Sequence, residues 1–473
     1  MKVEWPPLAF GPSGWRARIA DEFTFANVRR LTGAIALELR GSGRTAGGVV
    51  VGYDTRFLSE EFAAAVAGVL AGAGIRSWLA LASVPTPVVA HAVASREAGA
   101  GITVTASQNP PEDNGLKLSG PTGGPAAPEV ARAVEGRVAN LAPPDGLDLA
   151  EARRRGLVED ADFAAAYLRH CRELLDLGAI RRARLRVVVD VMHGPAQGYL
   201  DRLLEEAGAE VTLLHGERDV RFGGHPPDPA AAHLGDLIAE VRARGAHLGL
   251  ATDGDADRCG VVDGDGTVFP PNPILALVLR HLLVRRGWRG GVARSIATTH
   301  LLDRVAERHG ATLLETPVGF QYLGDLITHG TAMFGGEESG GMSLRGHPPE
   351  KDGILAGLLV AELVAVEGTG VSGALARLHD EVGAVVSDRI NVPLSDGMRA
   401  SLPGRLATPP DRLAGRPVVR VQTTDGLKLH FADDAWVLVR PSGTEPVARL
   451  YVEAPDAAAF DTLREAALAH FFG

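Results

Sequence analysis

The chain has 473 residues, 45% hydrophobic and 22% charged, with a formal net charge of −10. That length exceeds one ordinary core and predicts three or four domains, and the acidic balance, with no basic run interleaved with aromatics, excludes a nucleic-acid surface. The two cysteines, Cys171 and Cys259, make no disulfide framework. Charge interrupts every apolar stretch before it spans a bilayer, so the expected setting is the reducing cytoplasm, with no membrane partner.

An acidic chain repels anionic ligands, so a site for one must gather its own cations. Nearly all the cations here are arginines; the lysines are Lys2, Lys117, Lys351 and Lys428. A lysine kept inside a polar motif against that bias hints at a role for a compact, titratable ammonium, and both Lys117 and Lys351 sit in such motifs.

In chain order, Phe10-Gly11-Pro12-Ser13-Gly14-Trp15-Arg16 first places an arginine on a glycine-rich turn. A pattern of apolar run, polar turn, amphipathic helix, glycine and second apolar run then occurs three times. The first copy has strand residues 48–54 and a helix over 59–73, and the second has a strand over 185–190 and a helix over 197–207. The third has a strand over 292–297 and a helix near 301–308. Such alternation predicts βαβ units and sheets covered on both faces, and repeats more than a hundred residues apart predict duplicated domains rather than a solenoid. Past about residue 386 the chain predicts short strands (418–422, 435–439, 448–452) and a last helix over 456–470, an α+β pattern. Linkers are expected at 142–146, near 269–271 and around 368–386.

Thr105-Ala106-Ser107-Gln108-Asn109-Pro110 follows an apolar run and is followed by Asn114-Gly115-Leu116-Lys117. Ser107 at such a strand end is either a nucleophile or phosphoryl carrier, or a serine shaping a local turn. Asp253-Gly254-Asp255-Ala256-Asp257-Arg258 sets three carboxylates at alternate positions, which suits one hard cation. An EF-hand is a poor alternative, because Arg258 and Gly264 stand where that loop needs glycine and glutamate. The nearby Asp263-Gly264-Asp265-Gly266 reads as a hairpin turn. Thr316-Pro317-Val318-Gly319-Phe320 offers a loop after a strand. Gly335-Gly336-Glu337-Glu338-Ser339-Gly340-Gly341 suits hydroxyl recognition by Glu337 and Ser339, or is a solvated turn. Arg440-Pro441-Ser442-Gly443-Thr444-Glu445-Pro446, with Arg449 beyond, has the makings of a phosphate cradle and is not a Walker loop.

Taken in this order, these segments resemble the alpha-D-phosphohexomutase superfamily of phosphoglucomutases and phosphomannomutases, over essentially the whole chain. The resemblance implies an α/β fold: three similar phosphohexomutase domains plus a C-terminal α+β domain like the TATA-binding protein, around a central cleft. The units expected are 1–148 with the phosphoserine loop, 149–268 with the metal loop, 269–385 with the sugar loop and 386–473 with the phosphate loop. It implies phosphorylated Ser107 as carrier, with Asp253, Asp255, Asp257 and the serine's phosphate as ligands of Mg2+. Arg16, Lys117 and Arg258 match active-site cations, Lys117 being the first candidate for moving a hydroxyl proton, with a pKa lowered by burial among cations. Thr316 and Gly319 match the loop that orients the sugar, Glu337 and Ser339 the sugar-binding loop, and Arg440, Ser442, Gly443, Thr444 and Arg449 the phosphate-binding loop. The implied reaction interconverts hexose 1-phosphate and hexose 6-phosphate, with glucose ahead of mannose and glucose 1,6-bisphosphate as activator, in a monomer or homodimer. Two positions depart from the family pattern: Gln108 replaces the usual histidine after the serine, and Gln321 a frequent lysine. Those neutral amides leave open an alternative, a sugar-phosphate-binding homologue with weak turnover.

Overall fold

The computed structural model describes residues 7–442 and 447–473. Each of the first three domains is built on a sheet whose middle strands are the apolar runs seen in the sequence. In the first sheet, Val49–Tyr53 pairs in parallel with Ser77–Ala80 on one side and Ala100–Val104 on the other, and Asp113–Ser119 adds antiparallel to Ala100–Val104. In the second, Arg186–Asp190 lies parallel between Glu210–Leu214 and Leu248–Thr252, and Cys259–Asp263 returns antiparallel to the latter. In the third, Gly291–Ser295 lies parallel between Leu313–Thr316 and Ala332–Gly336, and Met342–Leu344 returns antiparallel. The same strand order thus occurs three times, and each copy ends in a hairpin whose loop carries one of the polar motifs.

Val49–Tyr53 and Leu248–Thr252 are buried along their whole length, and Arg186–Asp190 at all but its first residue, because helices cover both faces, which is why they read as continuous apolar runs rather than alternating ones. The first sheet also takes up Val158–Ala161, parallel to Ser77–Ala80, so it draws on chain beyond the linker at 142–146. The Asp263 turn is a hairpin turn, closed by Gly266 N–H donating to Asp263 O at 2.8 Å. Its carboxylate also caps the helix Val371–Val382, accepting from Ser372 N at 2.8 Å. Lys117 lies in strand Asp113–Ser119 rather than in a loop. No single helix among the described residues is long and apolar enough to cross a membrane; one helix pair bent by 77°, Gly353–Glu367 with Val371–Val382, passes by length and composition alone. Nearly every residue of Gly353–Glu367 is buried inside the protein.

The C-terminal domain is an antiparallel five-stranded sheet with the helices Asp396–Ala407 and Ala457–Phe472. The strand Val386–Pro393 and the first of these helices, which carries Pro403 in its interior, are additions to the elements the sequence predicted. Its strand Trp436–Pro441 alternates between two cores. Val437 and Val439 pack with Leu402 and Leu463 of the helices, while Trp436 and Leu438 pack with Ile296 and Ala297 of the third domain. Lys428 is buried at that junction, its Nζ donating to Ile296 O at 2.6 Å and lying 3.8 Å from the Trp436 ring centroid. Burial, then the charge of Arg294, holds its ammonium down at about 7 against 10.5 ordinarily.

A lysine depressed in this way binds fewer protons folded than unfolded between about pH 7 and 10, so it makes native stability rise with pH across that window. Replacing Lys428 by Met removes this contribution. In thermal unfolding, the stability of Lys428→Met relative to the parent is expected to be highest near pH 7 and to decline towards pH 10; a constant difference would contradict the depressed ammonium.

Candidate active site

Ser107 stands in the loop between Ala100–Val104 and Asp113–Ser119, fully buried and at φ +53°. A left-handed conformation at a residue with a Cβ costs roughly 1–3 kcal/mol and persists only where the surroundings impose it. Here they do. Arg56, also fully buried, donates to the carbonyls of Ser107 (2.6 Å), Asn109 (2.7 Å), Pro110 (2.7 Å) and Asp113 (3.0 Å). Its Nε lies 3.2 Å from Asp54 Oδ2, and Asp54 accepts from Thr105 Oγ1 at 2.6 Å and Ser59 Oγ at 2.8 Å. One guanidinium therefore gathers the whole serine loop. Asp54 and Arg56 were not read as site residues from sequence; the available signal was an Asp-Thr-Arg triplet at the polar end of the first apolar run.

The second-domain hairpin loop meets this loop directly. Ser107 Oγ lies 2.8 Å from Asp253 Oδ2 and 3.0 Å from Gln108 Oε1. Gly254 lets the two loops touch, since a Cβ there would stand 2.5 Å from Ser107 O. Asp253, Asp255 and Asp257 are buried and offer carboxylate oxygens within 4.8 Å of one another. Lys117 Nζ bridges Asp255 Oδ2 at 2.6 Å and Asp257 Oδ2 at 2.8 Å, and Lys351 Nζ lies 3.4 Å from Asp257 and 2.9 Å from Glu350. Asp255 Oδ1 and Asp257 Oδ1 are buried with no hydrogen-bond partner among the described residues. Buried oxygens without donors, in a trio of hard anionic ligands, fit a divalent cation such as Mg2+.

Charge divides unequally over the trio. Burial, then Asp257 and Asp255, pushes Asp253 well above the carboxylate range. Burial presses Asp257 the same way, but Lys117, Lys351 and Arg258 pull it below its ordinary value, and Lys117 and Thr86 do the same for Asp255. Burial alone would lower Lys117, yet Asp255 and Asp257 raise it. The expectation of a lysine depressed among cations is therefore corrected: two carboxylates are its nearest charges. Arg16 Nη1 donates to Asn109 Oδ1 at 2.9 Å, and Arg258 Nε lies 3.8 Å from Asp257 Oδ1.

The third-domain loop is a closed and largely buried turn rather than a freely solvated one. Glu337 N donates to Gly341 O at 3.0 Å, Gly340 N to Glu337 O at 2.9 Å, and Ser339 Oγ to Glu337 Oε1 at 3.0 Å, with Glu337 only 9% exposed. Burial, then the adjacent Glu338, pushes Glu337 up to about 7. Glu338 is held apart from it by Ser295 Oγ at 3.0 Å and Tyr451 OH at 3.3 Å. Lys351 lies near enough to act on both Glu337 and Asp257 and so joins the sugar loop to the aspartate loop.

A second group forms where the third and fourth domains meet. Asp425 accepts from Val318 N at 3.0 Å and Arg440 Nε at 2.8 Å, tying the loop of Thr316 and Gly319 to the C-terminal strand. Gly319 has φ +134° and a Cβ there would stand 2.5 Å from Gln321 Nε2, so Gln321 folds back over the loop. Thr316 is buried and donates to Pro317 O at 2.9 Å. Arg440 and Arg449 stand opposite each other across antiparallel strands, and Ser442 N donates to Val447 O at 2.9 Å. Gly443 and Thr444 lie outside the described residues.

Residues 7–144, 165–266 and 270–382 match the alpha/beta/alpha domains I, II and III of phosphoglucomutase/phosphomannomutase, and residues 390–470 its C-terminal domain. The chain is 32% identical over 445 residues, 94% of each chain, to a phosphoglucomutase/phosphomannomutase of Thermococcus kodakarensis. It is 34% identical over 476 residues, 97% of each chain, to a phosphoglucosamine mutase of Frankia alni. A crystal structure from Thermus thermophilus, assigned as a phosphomannomutase, superposes with a TM-score of 0.85 at 36% identity, covering 99% of this chain and all of that one. The chain belongs to the phosphoglucomutase/phosphomannomutase family of the alpha-D-phosphohexomutase superfamily, and is an intramolecular phosphotransferase.

The unequal charges predict a contrast between two isosteric variants. Without divalent metal, Asp253→Asn removes the repelled carboxylate and should leave thermal stability unchanged or higher. Asp255→Asn strips Lys117 of a partner and should lower stability by about 1–3 kcal/mol. Both should weaken metal binding, measured by calorimetric titration; equal stability effects would contradict this division of charge.

Proposed function

We propose that this enzyme interconverts hexose 1-phosphate and hexose 6-phosphate through phosphorylated Ser107 and a bound 1,6-bisphosphate, with glucose preferred and mannose also accepted. The observation that carries the reading is the meeting of the Ser107 hydroxyl with Asp253 at 2.8 Å, beside Lys117, Arg16 and Arg258. A serine buried at a left-handed φ, with its oxygen against a carboxylate cluster and its carbonyl gripped by Arg56, supports a fixed carrier over a turn former.

Phosphoryl transfer depends on positioning and on neutralising the equatorial oxygens. Asp253, Asp255, Asp257 and the phosphate carried on Ser107 would hold Mg2+, which would supply much of that neutralisation. Arg16 and Arg258 add fixed charge, and Gln108, whose amide lies against Ser107 Oγ, turns its NH2 towards a phosphate oxygen in the phosphorylated state. Lys117, kept as an ammonium by Asp255 and Asp257, serves as a charged group that orients the attacking hydroxyl, and it takes up that hydroxyl's proton only after giving up its own. Glu337 and Ser339 bind the ring hydroxyls. The Arg440, Ser442 and Arg449 strand pair, with Gly443 and Thr444, holds the phosphate that is not reacting. Because that cradle needs only a phosphate, it accepts the bisphosphate in either orientation, as the exchange of C1 and C6 demands.

The Glu337-Glu338-Ser339 sequence supports glucose over glucosamine, since Glu-Gln-Ser is the loop of phosphoglucosamine mutases, although relatives of both names match the chain. Glucose, mannose and glucosamine 1-phosphates should be compared by turnover with Mg2+ and glucose 1,6-bisphosphate present. Glucose should lead, and a clear preference for the glucosamine ester would overturn the assignment. Ser107→Ala should lower turnover by about 10⁴-fold or more while leaving hexose-phosphate binding near normal. Arg440→Ala should show the reverse balance, weakening binding by about 2–3 kcal/mol for a lost charge-assisted contact. Near-normal turnover in Ser107→Ala would refute the carrier.

A further inference from the structure

Three histidines from three parts of the chain converge away from the phosphoryl-transfer groups. His91 lies on the helix Thr86–Ser95, His170 on the helix Ala164–Leu174, and His347 between the strand Met342–Leu344 and the helix Gly353–Glu367. They line one cavity of about 420 Å³, together with the hydroxyl-bearing Ser95, Thr122 and Thr328. The rings of His170 and His347 stack with centroids 5.2 Å apart, and His91 lies 4.8 Å from His170.

The hydrogen bonds fix how these rings are held. Asp352 accepts from Tyr167 OH at 2.6 Å and caps the helix Gly353–Glu367 through Leu355 N at 2.8 Å, so its carboxylate is immobile. His347 Nε2 lies 3.0 Å from the same Asp352 oxygen that Tyr167 uses. The other ring nitrogen of His347, Nδ1, stands 3.1 Å from His170 Nε2. An imidazole backed by a carboxylate on its far nitrogen is the arrangement by which proteins orient histidine ligands for transition metals. His91 Nδ1 is buried with no hydrogen-bond partner among the described residues, and His91 itself is only 8% exposed. Burial, then the proximity of the other two histidines, holds His91 down at about 4, and burial and His347 lower His170, so both rings are neutral at neutral pH.

We propose that this cavity binds a divalent transition-metal cation of the zinc type, through His347 Nδ1 and His170 Nε2 with His91 as the third imidazole and water completing the shell. Two nitrogens each about 2.05 Å from a tetrahedral centre stand about 3.3 Å apart, close to the 3.1 Å observed between His170 and His347. Both rings ligate as neutral imidazoles, so the proton shared in the His347 Nδ1–His170 Nε2 contact leaves that contact on binding. His91 joins by a side-chain rotation, since among the described residues the aspartate trio is the group that already brings its donor atoms within 4.8 Å. Ligand chemistry separates the two sites: imidazoles select zinc-like cations, whereas the carboxylate trio suits Mg2+. The site also has a route to catalysis, because Asp352 adjoins Lys351, whose Nζ lies 3.4 Å from Asp257.

The test uses the full chain, stripped by chelator and returned to excess Mg2+ so that the aspartates are occupied. Titration with Co2+ should develop the visible absorption of tetrahedral nitrogen coordination at one equivalent per chain. Zn2+ should raise the unfolding temperature by roughly 2–5 °C. His170→Gln, on a partly exposed helical face, should lose both signals by tenfold or more in affinity, and His347→Gln should do so as well, each checked for folding by circular dichroism. Asp255→Asn should keep both. Absence of cobalt absorption in the parent chain, its persistence in His170→Gln, or its loss in Asp255→Asn would each overturn the proposal.

Discussion

Three carboxylates buried in one hairpin loop cannot stand uncompensated, and the compensation comes from other domains. Lys117 reaches Asp255 and Asp257 from the first sheet, and Lys351 reaches Asp257 from the third. Isolated, each carboxylate in such a place would cost several kcal/mol to ionise. Set between two ammonium groups, and shaped to take a divalent cation, the trio becomes the point on which three domains agree. The same ion pairs that assemble the protein therefore define where a transferring phosphoryl group finds positive charge, in a chain whose net charge of −10 would otherwise repel it.

The threefold repetition explains how such a site arises from ordinary α/β parts. In each domain the antiparallel return strand makes a hairpin, and the hairpin loops supply a serine, three aspartates, and a glutamate with a serine. Strand ends in open α/β sheets are where backbone groups and side chains are free to meet a ligand. Arg56 shows what holds one of those loops in a strained shape: four carbonyls of the serine loop converge on one buried guanidinium. The fourth domain contributes differently. Its central strand packs on two cores, so the arginine pair at its end is carried on a rigid element and linked through Asp425 to the loop of Thr316 and Gly319.

Much of this was legible in the sequence, for reasons that are physical. Fully buried parallel strands must be continuous β-branched runs, and the helices between them showed their turns and glycines, so the three α/β copies could be read directly. The aspartate loop was legible because alternating carboxylates have few other uses, and the glycines around Glu337 and Gly254 marked close backbone approach. What escaped was whatever depends on partners distant in the chain. Arg56 is one arginine among many until the fold brings four carbonyls to it. The charge state of Lys117 followed composition in the reading and geometry in the molecule. Val386–Pro393 has only half-buried and exposed positions and no strong apolar signal, and Asp396–Ala407 hides a helix behind Pro403. The histidines of the interdomain cavity are isolated in sequence and meet only in space.

The central claim is that Ser107 carries the phosphoryl group. It is tested most directly by incubating the Mg2+-loaded enzyme with hexose 1,6-bisphosphate, measuring intact mass and mapping the modified peptide. The account predicts one added phosphate, on Ser107, that is discharged when excess hexose monophosphate is supplied and returns as bisphosphate. A phosphate on any other residue, or one on Ser107 that hexose monophosphate fails to remove, would contradict it.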